Sequence, residues 1–108
     1  MTTRRVVITG LGMLTPLGAD VTSSWEGIKA GKSGIRTIEH FDTEPFSTRF
    51  AGLVPDFDVS SYLSPKDARK LDIFIQYGLI AAIQAVRDSG LDMDKEDAER
   101  VGAAIGSG

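Results

Sequence analysis

The chain has 108 residues, of which 42% are hydrophobic and 25% are charged, and its formal net charge is -3. These values are ordinary for one small globular domain and exclude a disordered or fibrous chain, and the slightly negative charge gives no reason to expect nucleic-acid binding. With no cysteine and a single histidine, the chain excludes disulfides, a thiol nucleophile and a multi-histidine metal site.

The first predicted element is a strand over 4–11, RRVVITGL, because a β-branched run that ends in glycine is typical of a strand buried on both faces of a parallel sheet. Gly10 and Gly12 require the backbone to turn tightly or to approach another segment closely. A Gly-x-Gly after a strand also suggests a dinucleotide site, but Thr15 stands where the third glycine belongs. We therefore favour a packed turn and keep a nucleotide-binding α/β domain as an alternative.

A helix is predicted next. Ser23 and Glu26 match a capping box, Trp25 and Ile28 lie on one apolar face, and Gly31 supplies the stop. The two arginines near the N-terminus precede an apolar run that is too short for a secretory signal, so we expect a cytoplasmic location and no membrane insertion.

Residues 32–48 show no sustained period and predict a long surface loop, and residues 49–54, RFAGLV, predict a strand that Pro55 ends. His40 lies two residues before Asp42, and this pair could act as a general base with an orienting acid. Because no nucleophile is marked nearby, we favour a structural role for His40.

The Ser-Pro pair at 64–65 predicts the start of a short helix, with an N-cap followed by a proline in the first turn. This helix carries Lys66, Arg69 and Lys70, which the i, i+3, i+4 spacing gathers on one face. Such a face can bind an acidic partner. The alternative is a solvated charged face that Asp67 partly neutralises, and the residue pattern alone favours this alternative.

The longest periodic segment is 71–90, LDIFIQYGLIAAIQAVRDSG, and it predicts a helix that Gly90 ends. Apolar residues recur on one helical face, and the opposite face is nearly as apolar. Four residues form what we call the polar seam: Gln76, Gln84, Arg87 and Asp88. A helix that is apolar almost all round is normally buried, so we expect protein on both sides of it. The run is too short and too often interrupted by polar residues to span a membrane.

Residues 92–100 predict a charged connector with a helical turn that starts at Asp94, and residues 101–108, VGAAIGSG, predict a strand and a glycine turn. The alternating acids of the connector resemble the start of an EF-hand loop. Asp97, however, stands at the glycine position of such a loop, so we expect a solvated connector and no calcium site.

The predicted order is strand, helix, strand, helix, strand, which indicates an α/β fold with a mostly parallel sheet. A buried-type final strand lacks the polar sequence of a typical terminus. We therefore expect the chain to be the front part of something larger.

Several segments together carry a family resemblance: RRVVITGLGMLTPLG, GKSGI, HFDT, the basic KDARKLD, DIFIQYGLIAAIQAVRDSGL and GAAIGSG. In this order and without gaps, they closely resemble the N-terminal quarter of the bacterial β-ketoacyl-acyl carrier protein synthase II enzymes. The resemblance implies a layered thiolase-like α/β fold, of which residues 1–108 are an incomplete N-terminal segment of the synthase N-terminal domain. It also implies a homodimer that condenses an enzyme-bound acyl group with malonyl-acyl carrier protein in fatty acid elongation and releases carbon dioxide.

The resemblance places no catalytic residue within 1–108. The acyl-accepting cysteine, the two catalytic histidines and the lysine of the family all fall beyond Gly108, and His40 matches the HFD loop motif instead. A thiol is needed to form the acyl thioester, so this segment alone cannot perform the condensation. No cofactor is implied apart from the phosphopantetheine arm of the carrier protein.

The resemblance does assign a role to the basic helix. Lys66, Arg69 and Lys70 match the residues with which such synthases dock the acidic acyl carrier protein, which makes docking the favoured interpretation over a merely solvated face. Pro65 departs from relatives that carry a basic residue there, so one cation of the docking surface is missing.

A second function class remains open. Chain-length-factor subunits share the fold, lack the nucleophilic cysteine and work by pairing with an active subunit. The sequence downstream of this segment distinguishes the two, because only the enzyme requires that cysteine.

Overall fold

The computed structural model of the protein describes residues 2–108. Its helices and strands are, in chain order, α1 (Val21–Lys29), β1 (Ile35–Thr37), β2 (Phe50–Gly52), α2 (Pro65–Lys70) and α3 (Ile73–Ser89), with short 3-10 turns at Val59–Ser61 and Ala98–Arg100. The longest element, α3, confirms the helix predicted over 71–90. The helical turn predicted to start at Asp94 corresponds to the 3-10 turn at Ala98–Arg100 and therefore starts four residues later.

The start of α1 differs from its prediction. Asp20 is the N-cap, and its Oδ1 accepts hydrogen bonds from the Ser23 backbone N at 2.8 Å and from the Ser23 hydroxyl at 2.6 Å. The predicted capping box is therefore wrong: Ser23 lies inside the first turn, and Glu26 pairs with Lys29 at 2.6 Å instead. The predicted stop is confirmed, because Gly31 adopts a φ of 67° just beyond the helix.

The two strands β1 and β2 form an antiparallel pair in which Ile35 lies opposite Gly52 and Thr37 opposite Phe50. Strand β2 confirms part of the strand predicted over 49–54. Strand β1 lies inside the predicted loop, and three residues are too few to reveal an alternating pattern. The expected parallel pairing is wrong for residues 2–108, whose one sheet is antiparallel.

The segments 4–11 and 101–108 were both predicted to be strands, and within residues 2–108 neither belongs to a sheet. Their apolar side chains face solvent: Val6 is 93% exposed, Ile8 82% and Ile105 64%. A β-strand is defined by backbone hydrogen bonds to a neighbouring strand, and residues 2–108 contain no such partner for either segment.

Helix α3 is covered on one side. Ile80 is fully buried, whereas Phe74 on the other side is 54% exposed. Phe74, Ile75 and Leu79 line an open apolar groove of about 440 Å³, whose other wall includes Ile105. The expected cover on both sides is thus found on one side only within residues 2–108. No helix in this part of the chain is long and apolar enough to cross a membrane.

Gln84, in the polar seam, joins α3 to two separate segments, the one before α1 and the one before α2. Its Oε1 accepts a hydrogen bond from the Met13 N at 3.1 Å, and its Nε2 donates to the Ala19 carbonyl at 2.6 Å and to the Tyr62 hydroxyl at 3.2 Å. Since each partner lies more than 20 residues away in sequence, one amide fixes distant parts of the chain around α3.

Two further seam residues act in the same way. Asp88 accepts a hydrogen bond from the Leu11 N at 2.9 Å, and the Arg87 guanidinium lies 5.4 Å from the centre of the Tyr62 ring, within the range of a cation–π contact. The polar seam is therefore a set of anchors for other segments.

Gly10 and Gly12 press directly against the backbone of α3. A Cβ atom added at Gly12 would lie 2.0 Å from the Ala81 carbonyl oxygen, and one added at Gly10 would lie 2.3 Å from the Ala85 carbonyl oxygen. Real Cβ atoms do not approach other atoms this closely. The packed-turn interpretation of this Gly-x-Gly pair is confirmed.

The described residues bury little apolar surface. Leu63 and Ile80 are the buried hydrophobic residues among them. The accessible surface is 8877 Å², against about 5,800 Å² for a folded monomer of this mass. The radius of gyration is 17.4 Å, against about 13 Å for a compact domain of this length. Residues 2–108 therefore lack the enclosed core of an independent domain.

We expect Gly12→Ala to destabilise the full-length protein by about 1–3 kcal/mol, because the new methyl group overlaps the backbone of α3. Urea unfolding measures the loss. Thr22→Ala is the control, since it shortens an exposed side chain on α1 and adds no atom. A Gly12→Ala variant as stable as the Thr22→Ala variant would contradict the close packing.

The Asp20 cap makes a pH-dependent contribution. The hydrogen bonds from the Ser23 hydroxyl and backbone lower the pKa of Asp20, so ionised Asp20 stabilises α1 above the pKa of the unfolded chain. This stabilisation is lost as pH falls through the lower folded-state pKa.

We expect Asp20→Ala to cost about 1 kcal/mol at neutral pH and clearly less at about pH 2. Urea unfolding at both pH values checks this, with Asp20→Asn as an uncharged cap for control. An equal cost at both pH values would rule out the charged cap.

Candidate functional site

The N-terminus of α2 is held by its own first turn. Ser64 is the N-cap, and its hydroxyl accepts a hydrogen bond from the Asp67 N at 3.1 Å and donates to the Asp67 carboxylate at 2.8 Å. Pro65 occupies the first helical position, where its missing N–H costs nothing. The predicted start of this helix is confirmed.

The C-terminus of α2 is held by α3. The Gln76 Nε2 donates to the Ala68 carbonyl at 2.8 Å and to the Leu71 carbonyl at 3.0 Å. These carbonyls lie at the end of a six-residue helix, where backbone acceptors lack partners inside the helix. Sequence reasoning placed Gln76 in the polar seam and missed this contact. The available signal was an isolated amide side chain in the first turn of the apolar helix α3, which directly follows the short helix α2.

Lys66, Arg69 and Lys70 form what we call the basic patch. All three side chains are exposed on α2, as the spacing predicts, and within residues 2–108 none of them pairs with a carboxylate. Asp67 binds the Ser64 hydroxyl instead, so its carboxylate does not neutralise the patch by direct contact. The structure therefore presents three unpaired cations on one short helix.

The patch can attract carboxylate or phosphate groups, and its charges act over about 8 Å at physiological salt. It includes no nucleophile and no acid–base pair. Among the residues that the structure describes, no group of three histidine or carboxylate side chains is placed to hold a metal ion. The arrangement suits binding of an acidic surface, and the chemical steps of a reaction need other groups.

His40 is exposed on the surface. Its ring makes an edge-on contact with Phe41, with 4.9 Å between ring centres. The Asp42 carboxylate accepts a hydrogen bond from the Glu44 N at 3.0 Å, which uses Asp42 to shape the loop. This geometry fits the structural role favoured for His40.

Comparison with known proteins identifies the class. The family model described as "Beta-ketoacyl synthase, N-terminal domain" matches residues 3–108. The chain therefore belongs to the β-ketoacyl synthase family, as its sequence motifs indicate. It is 63% identical over all 108 residues to the 3-oxoacyl-[acyl-carrier-protein] synthase 2 of Vibrio cholerae, and 63% identical to that of Vibrio harveyi. The enzyme of the same name from Coxiella burnetii is 49% identical. The chain covers 26% of the length of each of these three relatives.

A solved structure, the ishigamide ketosynthase/chain length factor, matches 86% of this chain with a TM-score of 0.73 and 38% sequence identity, and the match covers 23% of that structure's chain. The expected class, a thiolase-like α/β fold, is confirmed. What the sequence did not predict is the pairing within this segment, where the one sheet is the short antiparallel pair of β1 and β2.

Proposed function

We propose that the full-length protein is a 3-oxoacyl-acyl carrier protein synthase that extends fatty acids by decarboxylative Claisen condensation of an acyl group with malonyl-acyl carrier protein. The observation that carries this proposal is the 63% identity over the whole chain to enzymes of that name. Because the chain covers 26% of their length, the activity is assigned to the full-length protein. A cytoplasmic homodimer is part of the same proposal.

Residues 1–108 serve in this proposal as the N-terminal part of the synthase N-terminal domain. The condensation needs a thiol that accepts the acyl group, and this segment has no cysteine. The exposed apolar groove along α3 and the large accessible surface support a segment that further polypeptide covers. Its contribution is then structural support and substrate docking.

The basic patch is proposed to dock the acyl carrier protein, which is acidic and carries the substrate on its phosphopantetheine arm. Unpaired surface cations raise the rate of encounter with an acidic partner and orient it, and they contribute less to the final affinity. The absence of a direct Asp67 contact with the patch supports docking over a neutralised surface. Pro65, at the start of the same helix, supplies no further cation.

A second candidate is a non-catalytic partner subunit, because the matching solved structure is a ketosynthase/chain length factor. Its 38% identity is lower than the 63% identity to the synthases, which favours the enzyme. The sequence basis for nucleotide binding was the Gly-x-Gly pair. Gly10 and Gly12 pack against the backbone of α3, which leaves no space there for a phosphate group.

We expect the purified full-length protein to convert acyl-carrier protein and malonyl-carrier protein into 3-oxoacyl-carrier protein and carbon dioxide without an added subunit. Mass spectrometry of the carrier-bound product measures the reaction. Turnover that requires a second, different subunit would favour the partner-subunit candidate. A protein that binds the carrier but never gives product, with or without a second subunit, would contradict both.

Reversing the charge of Lys66, Arg69 and Lys70 together to Glu should lower kcat/KM for carrier-bound substrates by about tenfold or more at low salt, with a smaller loss at high salt. Rates with the corresponding coenzyme A thioesters should stay unchanged. Lys95→Glu is the matched control, because Lys95 is an exposed cation outside α2 that pairs with Asp92. A carrier-dependent rate unchanged by the triple reversal would remove the docking role.

A further inference from the structure

One side chain binds the backbone on both sides of two basic-patch residues. The Gln76 Nε2 binds the carbonyls of Ala68 and Leu71, and these two residues lie immediately before and immediately after the pair Arg69 and Lys70. A single amide group thus holds the chain on both sides of two of the three cations.

The helix that carries these cations needs such support. Helix α2 has six residues, and helices this short are not stable in water by themselves. Its first turn is capped by Ser64, while the side-chain hydrogen bonds to its last turn that involve residues 2–108 come from Gln76. Gln76 thus supplies the side-chain hydrogen bonds to the backbone on either side of Arg69 and Lys70.

Gln76 differs from the rest of the polar seam in what it contacts. Gln84 and Asp88 bind the segment that precedes α1, and Arg87 lies over Tyr62. Gln76 is the seam residue that binds α2, and its amide is partly buried between the two helices.

We propose that Gln76 is a positioning residue for carrier docking: by fixing the carbonyls of Ala68 and Leu71, it sets the backbone from which Arg69 and Lys70 extend. This role rests on the proposed function of the basic patch. Gln76 itself touches neither substrate nor reacting atoms, and it acts through the orientation of the two cations.

The test uses Gln76→Met in the full-length protein, since methionine keeps the length and approximate volume of the side chain and removes both N–H donors. We expect KM for carrier-bound substrates to rise by roughly threefold to tenfold, with kcat and the rates with coenzyme A thioesters unchanged. Amide hydrogen exchange over 66–71 should become faster by a similar factor. The shorter amide of Gln76→Asn does not reach both carbonyls, and it should give the same KM shift if the methionine variant folds poorly.

Gln84→Met is the matched control, because it makes the same substitution at another seam glutamine, whose hydrogen bonds go to Met13, Ala19 and Tyr62 and not to α2. We expect lower overall stability from this variant, with no change in the ratio of carrier KM to coenzyme A thioester KM. The same carrier-specific KM increase in Gln84→Met would overturn the specific role of Gln76.

A double-mutant comparison separates this proposal from the proposed function. If Gln76 acts through Arg69 and Lys70, then Gln76→Met should add no further increase in KM once both cations are reversed to Glu. Independent, additive effects would overturn the positioning role, and so would a loss of kcat with both kinds of substrate. If charge reversal alone changes nothing, the docking function itself fails. If reversal raises KM and both Gln76 variants do not, only the inference about Gln76 fails.

Discussion

The arrangement of this segment depends on the hydrogen bonds that the polar side chains of α3 make to backbone groups of other segments. A backbone N–H or carbonyl that leaves water without a partner is costly, and much of this chain lies outside helices and sheets. Gln84 and Asp88 supply acceptors to the Met13 and Leu11 N–H groups, while Gln76 supplies donors at the end of α2. A mostly apolar helix thus provides both the contact surface and the few polar groups that the surrounding backbone requires.

The features predicted well from the sequence are those encoded by local patterns. The apolar period located α3, the Ser-Pro pair located α2, and glycine marked the ends of both longer helices. The N-cap of α1 was misassigned because Asp20 and Ser23 both carry capping side chains, and the local sequence does not decide between them. The sheet was predicted poorly for a different reason. Strand pairing is set by contacts between distant residues, so 4–11 has strand composition without a strand partner among residues 2–108.

The same distinction applies to the candidate site. The positions of Lys66, Arg69 and Lys70 on one exposed face follow from helical spacing alone. Their lack of carboxylate partners does not, because it depends on Asp67 turning toward the Ser64 hydroxyl. The hydrogen bonds of Gln76 to the end of α2 are harder still to predict from the sequence. They depend on the angle at which two consecutive helices meet, and no local pattern specifies that angle.

The contact of Gly10 and Gly12 with α3 also fixes how far the extended segment can slide along the helix. Two residues of extended chain advance about 6.6 Å, and four residues of α-helix advance about 6 Å, so the repeat of the two glycines nearly matches that of Ala81 and Ala85. A shift by one residue would bring the side chain of Leu11 onto the helix backbone, where even a methyl group does not fit. The alternation of glycine with larger residues therefore permits a single register between this segment and α3.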